Sequence, residues 1–157
     1  MIGSNLIGIP ITKTIVTATI RLALLVIGCG SSDTGVGDSK YPISHSPEVV
    51  AAGADIYAQN CLRCHGDNAR RPPLPAAPPH TADGHTWHHQ DRQLVEWILD
   101  GVPLAQVMPK FRGTLTEDET ISALAYIKTF WPDDVRERQT EGSLQYEQQL
   151  AEFADLP

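Results

Sequence analysis

Two cysteines and a histidine share the short run Cys61-Leu62-Arg63-Cys64-His65. The spacing C-x-x-C-H is typical of covalent haem attachment, because two thiols separated by two residues reach both vinyl groups of one porphyrin. The adjacent imidazole then reaches the iron. A zinc site would need two further ligands, and the chain has no second cysteine pair. A redox C-x-x-C motif does not require the histidine. The motif predicts one covalent haem c on Cys61 and Cys64, with His65 as an axial iron ligand.

A second axial ligand is needed if the iron is to carry electrons at a raised potential. The chain has two methionines, and Met1 belongs to the predicted signal sequence, so Met108 is the available thioether. Pro109 fixes its own φ and keeps the preceding residue extended, which would hold the sulfur in a loop. The alternative is a methionine packed in the core. We expect Met108 to be the sixth ligand.

Four more histidines fall within ten residues, and two interpretations of them remain open. They are His80, His85, His88 and His89. Imidazole suits copper and zinc, so the cluster is a candidate second metal site. The alternative, which we favour, is a hydrogen-bonded loop around the propionate edge of the haem, with some imidazoles exposed.

Three helices are predicted from their start signals. These signals are a serine followed by proline and glutamate, a capping aspartate, and a threonine–glutamate capping box. The predicted spans are about 47–60, 92–100 and 117–130, with caps at Ser46, Asp91 and Thr116. No segment between 47 and 132 has the pattern of a useful strand. The predicted fold class is therefore all-α, and a covalent haem would complete a small core.

The chain resembles the class I (monohaem) bacterial cytochromes c over residues 47–132. Gly53 and Tyr57 stand eight and four residues before Cys61, the offsets at which that family's first helix crosses its last one. Tyr126 would be the partner aromatic. The resemblance implies a cytochrome c fold of three to four main helices around one haem. It also supports the loop around Met108 as the ligand loop.

The resemblance implies further haem contacts in two loops. The family often has a proline whose carbonyl accepts the N–H of the proximal histidine, and Pro75 and Pro78 are both candidates here. The run Gly84-His85-Thr86-Trp87 looks like a loop in which the tryptophan hydrogen-bonds a propionate. The haem-loop candidates are Trp87, Thr86, His88 and Pro78. The longer run Gly84-His85-Thr86-Trp87-His88-His89 resembles a loop found in an exported subgroup of bacterial cytochromes.

Both ends of the chain lie outside the predicted domain. Residues 1–28 hold two basic and no acidic residues before a short apolar stretch, which is typical of a secretory signal. Val26-Ile27-Gly28-Cys29 resembles a bacterial lipoprotein signal, so Cys29 is the lipidation candidate. The alternatives are an ordinary cleaved signal and an uncleaved anchor. Residues 29–46 have the composition of a flexible tether, and 133–157 are expected to form a polar acidic tail with a short helix over 143–154.

Composition and charge limit the classes of function. The 157 residues are 41% hydrophobic, enough for one domain's core, and the net charge of −7 argues against a nucleic-acid binder. Residues 61–112 are nearly balanced in charge, and Arg63, Lys110 and Arg112 are expected to rim the haem edge.

We expect an exported, periplasmic, lipid-tethered one-electron carrier that serves a respiratory chain or a membrane-associated oxidoreductase. Its partners would be redox proteins, not small-molecule substrates. Alternatives are copper handling by the histidines and a haem enzyme with an open iron site.

Overall fold

Helices make up the regular structure of the part of the chain that the computed structural model describes, residues 39–69, 71–103, 105 and 107–156. The α-helices are α1 (Pro47–Asn60), α2 (Leu62–His65), α3 (Asp91–Asp100), α4 (Glu117–Lys128) and α5 (Asp133–Ala154). A single 3₁₀ turn covers Thr86–His88. Within these described ranges there is no β-strand, and the all-α fold class is confirmed.

Helices α1 and α4 cross at a glycine. A Cβ atom on Gly53 would lie 1.8 Å from the carbonyl oxygen of Ser122, so the two backbones approach too closely for any side chain at this position. One turn further along α1, the rings of Tyr57 and Tyr126 have their centroids 5.5 Å apart. The crossing predicted from Gly53, Tyr57 and Tyr126 is therefore confirmed. It fixes the end of α1, where the cysteine motif begins.

Two of the three predicted helix starts are confirmed. The Ser46 hydroxyl accepts a hydrogen bond from the Val49 N–H, and Thr116 and Glu119 form the reciprocal capping box. The third start differs, because Asp91 is the first residue of α3 and not its cap. Its carboxylate lies 2.6 Å from Nζ of Lys128, and both side chains are fully buried. The prediction of Asp91 as a cap is wrong because its charge is used in this ion pair.

Several parts of the fold meet at the Asp91–Lys128 pair. The Asp91 carboxylate also accepts the N–H of Ile43 and the Nε2 of Gln139, both at 2.8 Å. The backbone N–H of Asp91 donates to the Ser143 hydroxyl at 3.0 Å. A buried ion pair needs such hydrogen bonds to offset the loss of hydration. The network ties α3, α4, α5 and the segment before α1 together.

The C-terminal segment differs from the expected polar tail with a short helix. Helix α5 begins at Asp133 and runs for 22 residues, with Pro132 as its N-cap. Val135, Gln139 and Ser143 are buried and stand four residues apart, so they share the face of α5 that packs on the domain. The first half of this segment therefore belongs to the fold.

The segment before α1 also differs from the predicted tether. Tyr41 and Ile43 are 6% and 4% exposed and belong to the hydrophobic core. The prediction of a tether through residue 46 is wrong for these residues, because their two large apolar side chains are buried in the core instead of lying in solvent. The predicted signal over 1–28 and the lipidation candidate Cys29 lie outside the described residues. Across the described part of the chain, no helix combines the length and apolar character needed to cross a membrane.

Candidate haem-binding site

The cysteine motif forms a single helical turn directly after α1. The N–H groups of Cys64 and His65 both donate to the Cys61 carbonyl at 3.0 Å. Both cysteines are free and half-buried. Burial raises the pKa of Cys61 to about 11, with the nearby Cys64 thiol adding to the shift, so this thiol is protonated at neutral pH. Residues three apart on a turn lie on one side of it, so both sulfurs are available to one flat ligand.

His65 ends this turn with one ring nitrogen already occupied. Its Nδ1 lies 2.9 Å from the carbonyl oxygen of Pro78. A carbonyl only accepts, so Nδ1 carries the proton and Nε2 is the lone-pair nitrogen that can bind a metal. Burial lowers the pKa of His65, which favours the neutral imidazole that ligates metals. Of the two prolines whose carbonyl could accept this hydrogen bond, Pro78 makes the contact and Pro75 does not.

His80 lies against His65 in a contact that no pattern in the sequence indicates. The two ring centroids are 4.1 Å apart and the planes are 17° from parallel. The Nδ1 of His80 is 2.9 Å from the hydroxyl oxygen of buried Thr86. Burial lowers the pKa of His80 to about 3, and the imidazoles of His65 and His85 add to the shift. The ring beside the candidate ligand is therefore uncharged.

Of the other three clustered histidines, two are in contact, since the rings of His85 and His89 meet edge-on with centroids 5.8 Å apart. His88 is exposed and stacks on Trp87, with centroids 3.7 Å apart. The Nδ1 of His89 is 3.0 Å from Oε1 of Gln93, and His85 is exposed. Over residues 39–69, 71–103, 105 and 107–156, no three His, Cys, Asp or Glu side chains are grouped to hold a metal ion. This geometry gives the second-metal interpretation no support.

Trp87 belongs to the 3₁₀ turn beside these histidines. Its Nε1 donates to the Ala82 carbonyl at 3.2 Å, within its own loop. The guanidinium carbon of Arg138, on α5, lies 5.7 Å from the centroid of the Trp87 ring. The indole N–H that the resemblance assigned to a propionate is thus engaged by the backbone. Its role toward a propionate stays a prediction.

Met108 lies half-buried in the loop between α3 and α4. Just after it, the loop is tied to α3, because Phe111 N–H donates to the Ile98 carbonyl at 3.1 Å and Arg112 N–H donates to the Leu99 carbonyl at 2.9 Å. These bonds limit how far the loop that carries Met108 can move. As a sixth ligand, Met108 stays a prediction.

Among the described residues, one of the three cations expected at a haem edge forms an ion pair. The guanidinium of Arg112 makes two contacts with the Asp100 carboxylate, at 2.5 and 2.6 Å. This pair holds the pKa of Asp100 below its usual range. Arg63 and Lys110 are exposed. The pairing reduces the positive charge that Arg112 presents to a partner.

The donor set fits a c-type haem. Two free thiols lie on one helical turn, and the adjacent imidazole has its Nδ1 proton bound to a carbonyl. A thioether stands in a loop anchored to α3. These residue types are the ones that hold a His/Met-ligated haem. The residues would supply thioether links from Cys61 and Cys64, and iron ligands from His65 and Met108.

Comparison with known proteins decides the family. A family model described as "Cytochrome C oxidase, cbb3-type, subunit III" matches residues 48–127, more than half of the chain. The chain belongs to this family. One curated relative, "Cbb3-type cytochrome c oxidase subunit FixP" of Bradyrhizobium sp. (strain ORS 278), is 43% identical over 76 residues. That alignment covers 48% of this chain and 25% of the relative, so the chain spans about a quarter of the protein it matches. No solved structure matches the chain.

Family membership confirms the broader resemblance. The domain is a cytochrome c domain with the all-α fold, and a covalently bound haem c is what the family implies. The sequence contains one C-x-x-C-H motif. The narrower subgroup with a Gly-His-Thr-Trp-His-His loop stays a prediction. Helix α5 lies beyond the matched residues.

Proposed function

We propose that this protein is a one-electron carrier, a c-type cytochrome with a single haem attached at Cys61 and Cys64. His65 and Met108 are the proposed iron ligands. The observation that carries the proposal is the helical turn of the motif, in which Nδ1 of His65 is bound to the Pro78 carbonyl at 2.9 Å. This contact leaves Nε2 unprotonated and directs the imidazole toward ligation.

The proposed ligands favour electron transfer over catalysis at the iron. A bound haem supplies the redox couple between ferrous and ferric iron. Because His65 and Met108 occupy both axial positions in this proposal, no position is left for a substrate. A thioether ligand raises the reduction potential relative to a second nitrogen ligand. The hydrogen bond from His65 to Pro78 tunes the potential further by making the imidazole more basic.

The proposed redox partner belongs to a membrane respiratory complex. The curated relative is named as a subunit of a cbb3-type cytochrome c oxidase. We propose that this protein passes electrons to or from an oxidase of that class, as a subunit or as a carrier that docks on it. The exposed Arg63 and Lys110 would steer the encounter, because surface charges act mainly on orientation and association rate.

The proposed location is the periplasmic face of a membrane, reached by export. The basic, acid-free start of the chain and Val26-Ile27-Gly28-Cys29 support a lipoprotein signal with acylation of Cys29. One acyl chain binds a membrane weakly and reversibly, so stable anchoring requires more than one. Because Tyr41 is buried in the core, the proposed tether does not extend through that residue.

The ferric absorption spectrum of the haem-loaded protein tests this proposal. A weak band near the red end reports ligation by methionine, and we expect it in the parent and not in Met108→Ala. A potentiometric titration should then follow a single one-electron curve. A high-spin spectrum in the parent would instead favour an open iron site and a haem enzyme. Val107→Ala, at the exposed residue next to Met108, is the matched control and should keep the band.

A further inference from the structure

The ring of His80 packs face to face against the imidazole of His65. The centroid separation of 4.1 Å and the angle of 17° mean that the two rings are stacked. Carbon atoms attract best at about 3.5–4.0 Å and repel steeply below that distance. Turning the plane of His65 would therefore drive one edge of its ring into the face of His80.

Contacts on two sides hold the His80 ring in place. Its Nδ1 is 2.9 Å from the hydroxyl oxygen of Thr86, a residue that is 7% exposed. The ring of Tyr57 meets it edge-on, with centroids 6.1 Å apart. The Tyr57 hydroxyl in turn donates to the Gly66 carbonyl at 2.7 Å. The His80 ring is therefore held by Thr86, which is buried, and by Tyr57, whose hydroxyl is hydrogen-bonded.

The backbone of His80 is anchored as well. The indole Nε1 of Trp131 donates to its carbonyl at 2.7 Å, and Trp131 is only 3% exposed. The loop is closed at Gly84, where a Cβ atom would lie 2.0 Å from the carbonyl oxygen of Pro79. Trp131 stands between α4 and α5, outside the residues that match the family model. The position of His80 is thus set from the C-terminal part of the fold.

The hydrogen bond of His65 does not by itself prevent one rotation of its imidazole ring. An imidazole bound to a metal through Nε2 can still turn about the metal–nitrogen bond. Carbonyl oxygens accept hydrogen bonds over a broad range of directions, so the Pro78 contact restrains this rotation only loosely. The orientation of the imidazole plane decides which iron d orbital it overlaps. It therefore contributes to the magnetic anisotropy of ferric iron.

We propose that His80 is a positioning residue that fixes the plane of the His65 imidazole about its bond to the haem iron. This inference rests on the proposed ligation of the haem by His65. Residues beyond the first ligand shell commonly orient metal ligands through hydrogen bonds. Here a stacked ring, held by Thr86 and Trp131, does so by contact.

Electron paramagnetic resonance and proton NMR of the haem-loaded, full-length ferric protein test the proposal. We expect His80→Ala to shift the largest g value, broaden its line and change the spread of the haem methyl resonances. His80→Phe, which keeps an aromatic face, should restore a spectrum close to the parent's. Thr86→Val, which frees Nδ1 of His80, should broaden the line. Phe153→Ala is the control, because it removes an exposed aromatic ring near the end of α5, and it should leave the spectrum unchanged.

The outcomes separate this inference from the proposed function. A parent spectrum without low-spin ferric haem would overturn ligation by His65 and Met108. A low-spin parent together with a loaded His80→Ala that has the same g values and methyl shifts would overturn the positioning role. Should His80→Ala take up no haem, Thr86→Val decides, and a line as narrow as the parent's would contradict the proposal.

Discussion

The imidazole Nδ1 of His65 lies 2.9 Å from the carbonyl oxygen of Pro78, thirteen residues further along the chain. This bond joins the cysteine turn to a loop with several prolines, whose fixed φ angles limit the conformations open to it. A stiff loop presents its carbonyl at one place. Nε2, the proposed metal-binding nitrogen of His65, is consequently oriented by backbone geometry.

Replacing Met108 should lower the reduction potential. Both Met108→Ala and Met108→His remove a thioether, which favours ferrous iron more than water or a nitrogen ligand does. Protein-film voltammetry on the haem-loaded variants measures the change. Potentials equal to the parent's in both variants would show that Met108 is not a ligand.

Adding a methyl group at Gly53 should disrupt the packing of α1 on α4. The new Cβ would sit 1.8 Å from the Ser122 carbonyl oxygen, so the helices must separate. We expect Gly53→Ala to lower the free energy of unfolding by several kcal/mol, beyond the roughly 1–3 kcal/mol typical of an overpacked core. Chemical denaturation followed by circular dichroism measures it.

Gly142→Ala is the matched control for Gly53→Ala. Gly142 lies within α5, and a Cβ there would have no atom within 4 Å. Because alanine favours a helix interior over glycine, this variant should gain roughly 0.5–1 kcal/mol. A Gly53→Ala variant as stable as the parent would mean that the helices do not cross at this glycine.

Removing the ammonium of Lys128 should strongly destabilise the fold. Lys128→Met leaves the Asp91 carboxylate buried without its counter-charge, and breaking a buried pair costs about 3–5 kcal/mol. Adding Asp91→Asn removes the unpaired charge and should recover part of the loss. Equal stability of the single and double variants, measured by denaturation, would argue against this ion pair. Lys40→Met, at an exposed ion pair with Asp118, is the control and should change stability little.

The Glu119 carboxylate in the capping box of α4 should contribute its full stabilisation only above acid pH. Glu119 accepts hydrogen bonds from the N–H and hydroxyl of Thr116, which lowers the pKa of its carboxyl below 4.5. A carboxyl whose pKa is lower in the folded state stabilises above its unfolded pKa, and this is lost as pH falls through the folded pKa. As the pH falls below about 4.5, the free energy of unfolding of Glu119→Gln should therefore decrease less than that of the parent.

Thermal unfolding at a series of pH values measures this difference. Glu152→Gln, at an exposed residue near the end of α5, is the control and should follow the parent curve. Parallel curves for the parent and Glu119→Gln across the acid range would contradict a role for the Glu119 charge.

Local signals predicted much of this fold because their causes are local. The Ser46 cap, the Thr116 box and the Gly53–Tyr57 spacing depend on residues within one or two helical turns. The cysteine motif likewise carries its chemistry within five residues. Such features need no knowledge of the tertiary structure.

The missed features depend on partners that are distant in sequence. Asp91 looked like a cap because its partner Lys128 is 37 residues away. Pro75 and Pro78 were equivalent in the sequence, and only the path of the loop brings the Pro78 carbonyl to His65. Helix α5 was underestimated because its core-facing positions include Gln139 and Ser143, which are polar and are buried through hydrogen bonds to Asp91 or its neighbours. Because these buried positions are polar, no periodic apolar pattern in the sequence indicates this face of α5.

Covalent haem attachment is tested most directly by the mass of the peptide that contains Cys61 and Cys64, measured by mass spectrometry after denaturation and proteolysis. We expect a peptide carrying one haem through both sulfurs. We also expect a sharp loss of covalent haem in Cys61→Ala and Cys64→Ala, since each thiol holds one vinyl position. A parent peptide with the unmodified mass, or undiminished haem in both variants, would contradict a c-type cytochrome.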